Sequence, residues 1–136
     1  MREIKFRAWI ENEKRMKEVL GFRFHLRDVL LENGQIEDFK CVEIMQFTGL
    51  KDKDGKEIYE GDILGSLYEG ELCAEGIVSY SEELGNYLLV GVDEYASDSD
   101  YCYDADEWNQ LEVIGNIYEN PELMEVKEWK TLIEMN

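Results

Sequence analysis

The amino-terminal segment alternates apolar and polar residues with a period of two. One face of the extended chain carries the apolar side chains of Ile4, Phe6, Ala8 and Ile10. Such alternation is typical of a half-buried β-strand. A polar stretch over 11–14 follows and apolar residues resume at Met16, so the pattern predicts an amino-terminal β-hairpin. Residues 21–31 mix strand-like alternation with a short apolar run, and the pattern leaves their structure open.

The segment 46–64, QFTGLKDKDGKEIYEGDIL, reads as two strands that are each followed by a tight turn. Asp54-Gly55 is a strong turn pair because glycine adopts positive φ at low cost. Further short strands are predicted over 63–68, 72–80, 87–92 and 111–118. This spacing predicts a mainly β fold, with an antiparallel sheet or a small barrel.

The end of the chain has the pattern of a helix start. Asn120-Pro121-Glu122 places a capping side chain, a preset φ and an acidic first-turn residue in the order that helix starts prefer. An apolar stripe at spacings of three or four follows, formed by Leu123, Val126, Trp129 and Ile133. We therefore predict a carboxy-terminal helix over about 121–135. We expect its stripe to pack on the sheet, and the alternative is docking on a neighbouring subunit as part of a homo-oligomer.

Length and composition favour one folded unit without a membrane span. The chain has 136 residues, of which 44% are hydrophobic, and this is the usual size of one domain. We predict a single domain over 1–136. Its apolar runs are far shorter than the roughly 20 residues of a membrane-spanning helix, and its start lacks the apolar block of a secretory signal. We expect a cytoplasmic protein that does not bind membranes.

The negative charge lies almost entirely in the second half of the chain. Residues 1–60 hold 12 basic and 13 acidic residues, a net of −1, whereas residues 61–136 hold 2 and 19, a net of −17. A surface of that sign repels nucleic-acid phosphates and anionic lipids. The charge therefore disfavours nucleic acid as a partner and favours a basic protein.

Reactive side chains are few. The three cysteines, Cys41, Cys73 and Cys102, are odd in number and form no C-x-x-C pair. We interpret them as reduced residues that pack like small apolar side chains. His25 is the only histidine and stands between Phe24 and Leu26, so we interpret it as a packed or surface residue rather than a base.

Two acidic segments invite a metal interpretation. The first is the loop Asp52-Lys53-Asp54-Gly55, whose alternating aspartates before a glycine invite a calcium interpretation of the EF-hand type. The register fails, because with Gly55 at the sixth position Leu50 takes the first ligand position and Gly61 the twelfth, where a glutamate is needed. The acidic segment 93–107 lacks the glycine that turns such a loop inward, and we interpret it as a solvated loop. The chain also lacks both common glycine-rich phosphate-binding motifs. We assign no catalytic, cofactor-binding or metal-binding residues.

The segment 46–64 has a structural and a functional interpretation. In the structural one, Gly49, Gly55 and Gly61 supply turn conformations, Ile58 and Ile63 face a core, and Asp62 bonds backbone N–H groups. In the functional one, a mixed-charge aromatic patch binds a protein partner. The residues of this candidate interaction surface are Lys51, Lys53, Lys56, Tyr59 and Glu60.

Three segments of the chain resemble the YopX family of phage and prophage proteins. They are residues 4–9, 46–64 and 112–123, and the central one is highly specific. The resemblance implies a mainly β domain in the style of SH3-type barrels, with a β core over about 41–119. It also implies a phage or prophage protein that works inside a bacterial host. It brings no catalytic or ligand-binding residues.

We expect a non-enzymatic module that binds a phage or host protein. A second hypothesis is an acidic decoy that imitates nucleic acid and occupies a DNA-binding protein, because residues 61–136 carry a net charge of −17. A third is a carboxylate-dependent hydrolase, which needs two or three acidic side chains in one pocket. Nucleic-acid binding by the more balanced amino-terminal half ranks last, because the net field opposes phosphates.

Overall fold

The computed structural model describes residues 3–91 and 105–124. The chain divides into two compact units, Met1–Gly49 and Leu50–Asn136. The described strands, in chain order, are β1 (Phe6–Ile10), β2 (Arg15–Arg23), β3 (Asp28–Leu31), β4 (Ile36–Asp38), β5 (Val42–Lys51), β6 (Glu57–Tyr59), β7 (Asp62–Tyr68), β8 (Glu71–Ser81), β9 (Asn86–Gly91) and β10 (Glu112–Asn116). Short 3-10 helices occupy Glu32–Gly34, Phe39–Cys41, Ala105–Gln110 and Pro121–Met124.

Antiparallel pairing builds the first sheet in the order β4-β3-β2-β1-β5-β6. Strand β1 pairs with β2 from Phe6 opposite Val19 to Ile10 opposite Arg15. The turn between them closes through a 2.8 Å hydrogen bond from the Lys14 N–H to the Ile10 carbonyl. The predicted amino-terminal hairpin is confirmed.

The segment whose structure the pattern left open forms the end of β2, a turn and β3. A β-bulge lies between Val19 and Gly21, so two residues of β2 oppose one residue of β3. The turn that follows is closed by Arg23, whose guanidinium donates two hydrogen bonds of 2.8 and 2.7 Å to the Asp28 carboxylate. These bonds hold the pKa of Asp28 below its ordinary value.

The core of the first unit lies on one face of its strands. The side chains of Ala8, Ile10, Val29, Leu31 and Val42 are buried there. Val19, Phe22, Phe39 and Ile44 pack around them and are partly exposed. This face includes Ala8 and Ile10 of the apolar set that the period-two pattern predicts, whereas Ile4 is 72% exposed.

The second sheet has the order β10-β7-β8-β9. Its strands pair closely enough that two positions accept only glycine: a Cβ atom would lie 2.6 Å from the Cys73 carbonyl at Gly65, and 2.6 Å from the Val90 carbonyl at Gly76. The core of the second unit consists of Ile58, Leu64, Val78, Leu89 and Trp108, all of them at most 1% exposed.

The expectation of a single barrel of SH3 style is not confirmed. The described part of the chain is mainly β and its strands are antiparallel. They form two sheets, without a closed barrel among residues 3–91 and 105–124. The division follows from strand pairing: β6 is only three residues long and pairs in the first sheet, and after the turn at Gly61 (φ 84°) strand β7 pairs with β8 and β10 instead.

The carboxy-terminal helix is not confirmed either. Pro121–Met124 forms one 3-10 turn, and residues 125–135 of the predicted helix lie outside the described residues. Asn120, the expected helix cap, instead accepts a 3.2 Å hydrogen bond from the backbone N–H of Asn116. None of the helices in the described ranges is long and apolar enough to span a membrane.

Candidate protein-interaction surface

The Asp52 carboxylate organises the loop between β5 and β6. It is 6% exposed; one oxygen accepts hydrogen bonds of 2.9 Å from the backbone N–H groups of Asp54 and Lys56. The other oxygen accepts from the N–H of Val113 on β10, also at 2.9 Å. Burial acts to raise the pKa of Asp52, but these three N–H donors and the Lys56 charge outweigh it and lower the pKa. The carboxylate that invited a calcium interpretation is thus a backbone acceptor.

Asp62 and Asn116 stand opposite each other on β7 and β10, and both side chains bond backbone groups. The Asp62 carboxylate, 1% exposed, accepts from the Tyr59 N–H at 2.8 Å. The Asn116 side-chain oxygen accepts from the N–H groups of Tyr118 and Glu119 at 3.0 and 2.8 Å. A Cβ atom on Gly115 would lie 2.5 Å from the Asn120 side-chain oxygen, so any other residue there would displace the Asn120 side chain.

The structural interpretation of segment 46–64 is confirmed except at Gly49, which has a positive φ but lies within strand β5 and not in a turn. Gly49, Gly55 and Gly61 have φ values of 87°, 84° and 84°, in the left-handed region that glycine favours. Ile58 and Ile63 are fully buried. The predicted Asp62 bond to a backbone N–H is present.

The five residues of the candidate surface lie on one hairpin, from the end of β5 to the turn after β6. The lysines at 51, 53 and 56 are exposed, and Tyr59 and Glu60 are half-buried. The Lys53 ammonium lies 3.6 Å from the Glu112 carboxylate. That this hairpin binds a protein stays a prediction.

Sequence reasoning missed an aromatic cluster in the first unit. Phe22 is its centre: its ring lies 5.0 Å from that of Phe6, 5.5 Å from that of Phe24 and 6.4 Å from that of Phe39, measured between centroids. The Phe24 ring stacks on Phe22 at an interplanar angle of 12° and is 74% exposed. The sequence shows that Phe22 and Phe24 alternate. It does not show that Phe24 is exposed, because that depends on the turn at 24–27.

A groove of about 370 Å³ adjoins this cluster. It opens where the pairing of β1 with β2 ends at Phe6 and Val19, beside the β-bulge. The apolar side chains that line it are Ile4, Phe6, Val19, Leu20 and Phe22. We call Ile4, Leu20, Phe22 and Phe24 the first-unit apolar surface.

The remaining candidates from the sequence are not brought together. His25 is exposed in the turn after β2, and Cys41 and Cys73 are free, half-buried thiols. Cys102 and residues 93–104 of the acidic segment lie outside the described residues. In the ranges that the structure describes, His, Cys, Asp and Glu side chains form no group of three that could hold a metal ion.

A family model described as YopX protein matches residues 5–125. The chain belongs to the YopX family. This YopX-family chain is also similar to a solved structure, the crystal structure of protein EF1440 from Enterococcus faecalis, with 32% sequence identity and a TM-score of 0.63. The similarity covers 92% of this chain and 100% of that chain. No curated protein matches the chain.

Proposed function

We propose that this YopX-family chain is a non-enzymatic protein-interaction module and that the first-unit apolar surface binds its partner. The observation that carries the proposal is the exposure of Phe24. A large aromatic ring that is 74% exposed gains little from core packing, although it stacks on Phe22 and contacts the Phe39 ring. Aromatic side chains that stand in this way on a surface are the anchors that protein interfaces prefer.

The distribution of exposed apolar side chains supports the first unit as the site of binding. In the part of the chain that the structure describes, six of the nine large exposed hydrophobic residues belong to the first unit: Ile4, Leu20, Phe24, Leu26, Leu30 and Ile36. Concentrated exposed apolar surface marks interaction sites, whereas single scattered residues are ordinary.

Charge supports a protein partner over nucleic acid or membrane. Residues 1–49 contain 9 basic and 9 acidic residues, a net of zero, so the unit that carries the apolar surface has no excess positive charge for phosphates. The partner is a phage or host protein in the cytoplasm of a bacterium, as the family resemblance implies. The hairpin with Lys51, Lys53, Lys56, Tyr59 and Glu60 offers a second contact.

A second candidate function is the acidic decoy, which the net charge of −17 over residues 61–136 favours. The two functions differ in salt dependence. Binding through charges weakens steeply as salt rises, whereas binding through apolar side chains changes little.

Affinity capture from host cells at two salt concentrations tests the proposal. The bait is compared with Phe24→Asp and with the matched control Leu84→Asp, which changes a 65% exposed leucine of the second unit. We expect the wild type and Leu84→Asp to retain the same protein at both salt concentrations, and Phe24→Asp to lose it. Equal retention by Phe24→Asp contradicts the proposal, and a protein lost only at the higher salt concentration supports the decoy.

A further inference from the structure

The groove at the end of the β1–β2 pairing has apolar walls that are open to solvent. Ile4 and Leu20 on its walls are 72% and 59% exposed. Its volume is about 370 Å³. It lies where the β1–β2 pairing ends at Phe6 and Val19, and the Phe6 and Phe22 rings, which contact each other at 5.0 Å between centroids, form part of its lining. A single large apolar side chain suits this space.

The rim of the groove carries the Lys5 ammonium and the Glu18 carboxylate. The Lys5 ammonium lies 3.2 Å from the Glu3 carboxylate and 5.7 Å from the centre of the Phe47 ring. On the β2 side, Glu18 is exposed, and among the described residues no cation lies within ion-pair distance of its carboxylate. A second carboxylate, that of Glu32, lies 3.3 Å from the Glu18 backbone nitrogen. The free charge beside the apolar walls is negative.

We propose that this groove binds a basic segment of the partner, which places one large apolar side chain in the groove at the end of the β1–β2 pairing and a lysine or arginine beside Glu18. The inference rests on the proposed function, since it gives the partner chemistry for the same surface. The net charge of −18 raises the local concentration of basic segments around the protein. The apolar walls then select the segment that also carries an anchor.

Three short synthetic peptides, titrated into the ¹⁵N-labelled full chain and followed by NMR, test this. The first has one phenylalanine between two pairs of lysines, the second has alanine in place of phenylalanine, and the third has glutamates in place of lysines. We expect the first to shift the backbone amide resonances of residues 4–6 and 18–22. We expect the second to leave those resonances in place, and the third not to bind.

Variants of the chain separate the charge contribution from the apolar one. Glu18→Gln should weaken binding of the phenylalanine–lysine peptide by about two- to fivefold, the range of an exposed ion pair. The matched variant Glu83→Gln, at an exposed carboxylate between β8 and β9, should leave it unchanged. Leu20→Asp should abolish the shifts at the groove, and Leu84→Asp should preserve them.

Three results would overturn the inference. They are identical shifts from the phenylalanine and alanine peptides, binding of the glutamate peptide as tight as that of the lysine peptide, and groove resonances that move when the protein alone is diluted. The last result indicates that a second copy of the chain fills the groove. If the peptides fail while Phe24→Asp still loses the captured protein, the partner chemistry is wrong and the proposed function stands.

Discussion

The Asp52 carboxylate accepts a hydrogen bond of 2.9 Å from the backbone N–H of Val113, although the two residues are 61 positions apart in the chain. The same carboxylate binds the N–H groups of Asp54 and Lys56 in its own loop. One buried side chain thus joins the turn after β5 to the strand β10. Two of the three segments that resemble the YopX family meet at this carboxylate.

Replacing Asp52 should destabilise the fold. Asp52→Ala leaves three partly buried backbone N–H groups without their acceptor, and we expect the free energy of unfolding to fall by about 2–4 kcal/mol. Urea denaturation followed by circular dichroism measures the change. Asp54→Asn is the matched control, since the structure uses the backbone N–H of Asp54, and its unfolding free energy should stay within about 0.5 kcal/mol of the wild type.

The lowered pKa of Asp52 predicts a pH dependence of a definite sign. A carboxyl whose pKa is lower in the folded state stabilises the protein above its unfolded pKa of 3.8 and loses that contribution as pH falls through the folded value. We expect the difference in unfolding free energy between wild type and Asp52→Asn to shrink when the pH is lowered from neutral to about 3. A difference that stays constant over this range would show that ionised Asp52 contributes nothing.

The close approach of β8 and β9 makes Gly76 sensitive to any side chain. Gly76→Ala places a Cβ atom 2.6 Å from the Val90 carbonyl oxygen, so the strands must separate, and we expect a loss of about 1–3 kcal/mol. Gly21→Ala is the matched control because nothing lies within 4 Å of its Cβ position. Thermal unfolding of both variants checks the prediction, and equal stabilities would contradict it.

Although the rings of Phe22 and Phe24 are stacked, we expect a substitution of Phe22 to reduce stability and a substitution of Phe24 to reduce partner binding. Phe22 packs against the first core, so Phe22→Ala should cost about 2–4 kcal/mol of unfolding free energy. Phe24 is mostly exposed, so Phe24→Ala should cost less than about 1 kcal/mol and still reduce partner capture. The idea fails if Phe24→Ala unfolds as readily as Phe22→Ala.

Local features of the fold could be predicted from the sequence. The β1–β2 hairpin follows from strict alternation around a polar turn, and the turn at Asp54-Gly55 follows from the backbone freedom of glycine. The structure of residues 21–31 could not be predicted from the alternation of apolar residues, because the bulge after Val19 shifts that alternation. Val19 and Phe22, three positions apart, consequently pack against the same core.

Features that depend on distant residues could not be predicted. The sequence shows an acidic residue at position 52, but it does not show that the carboxylate accepts a hydrogen bond from the Val113 N–H. That contact exists only after β10 pairs with β7. Strand pairing also determines two sheets instead of one barrel. Phe22 and Phe24 look equivalent by spacing, and the strand end at Arg23 makes one partly buried and the other exposed.

The central claim is that Phe24 contacts a partner protein, and site-specific photo-crosslinking in the host cell tests it most directly. A photoreactive phenylalanine analogue at position 24 keeps the exposed ring, and the same analogue at position 84, an exposed leucine of the second unit, is the control. We predict a discrete crosslinked protein from position 24 and none from position 84. Absence of a crosslink at position 24, with one formed at position 51, 53 or 56, would contradict the claim and assign the contact to the lysine hairpin.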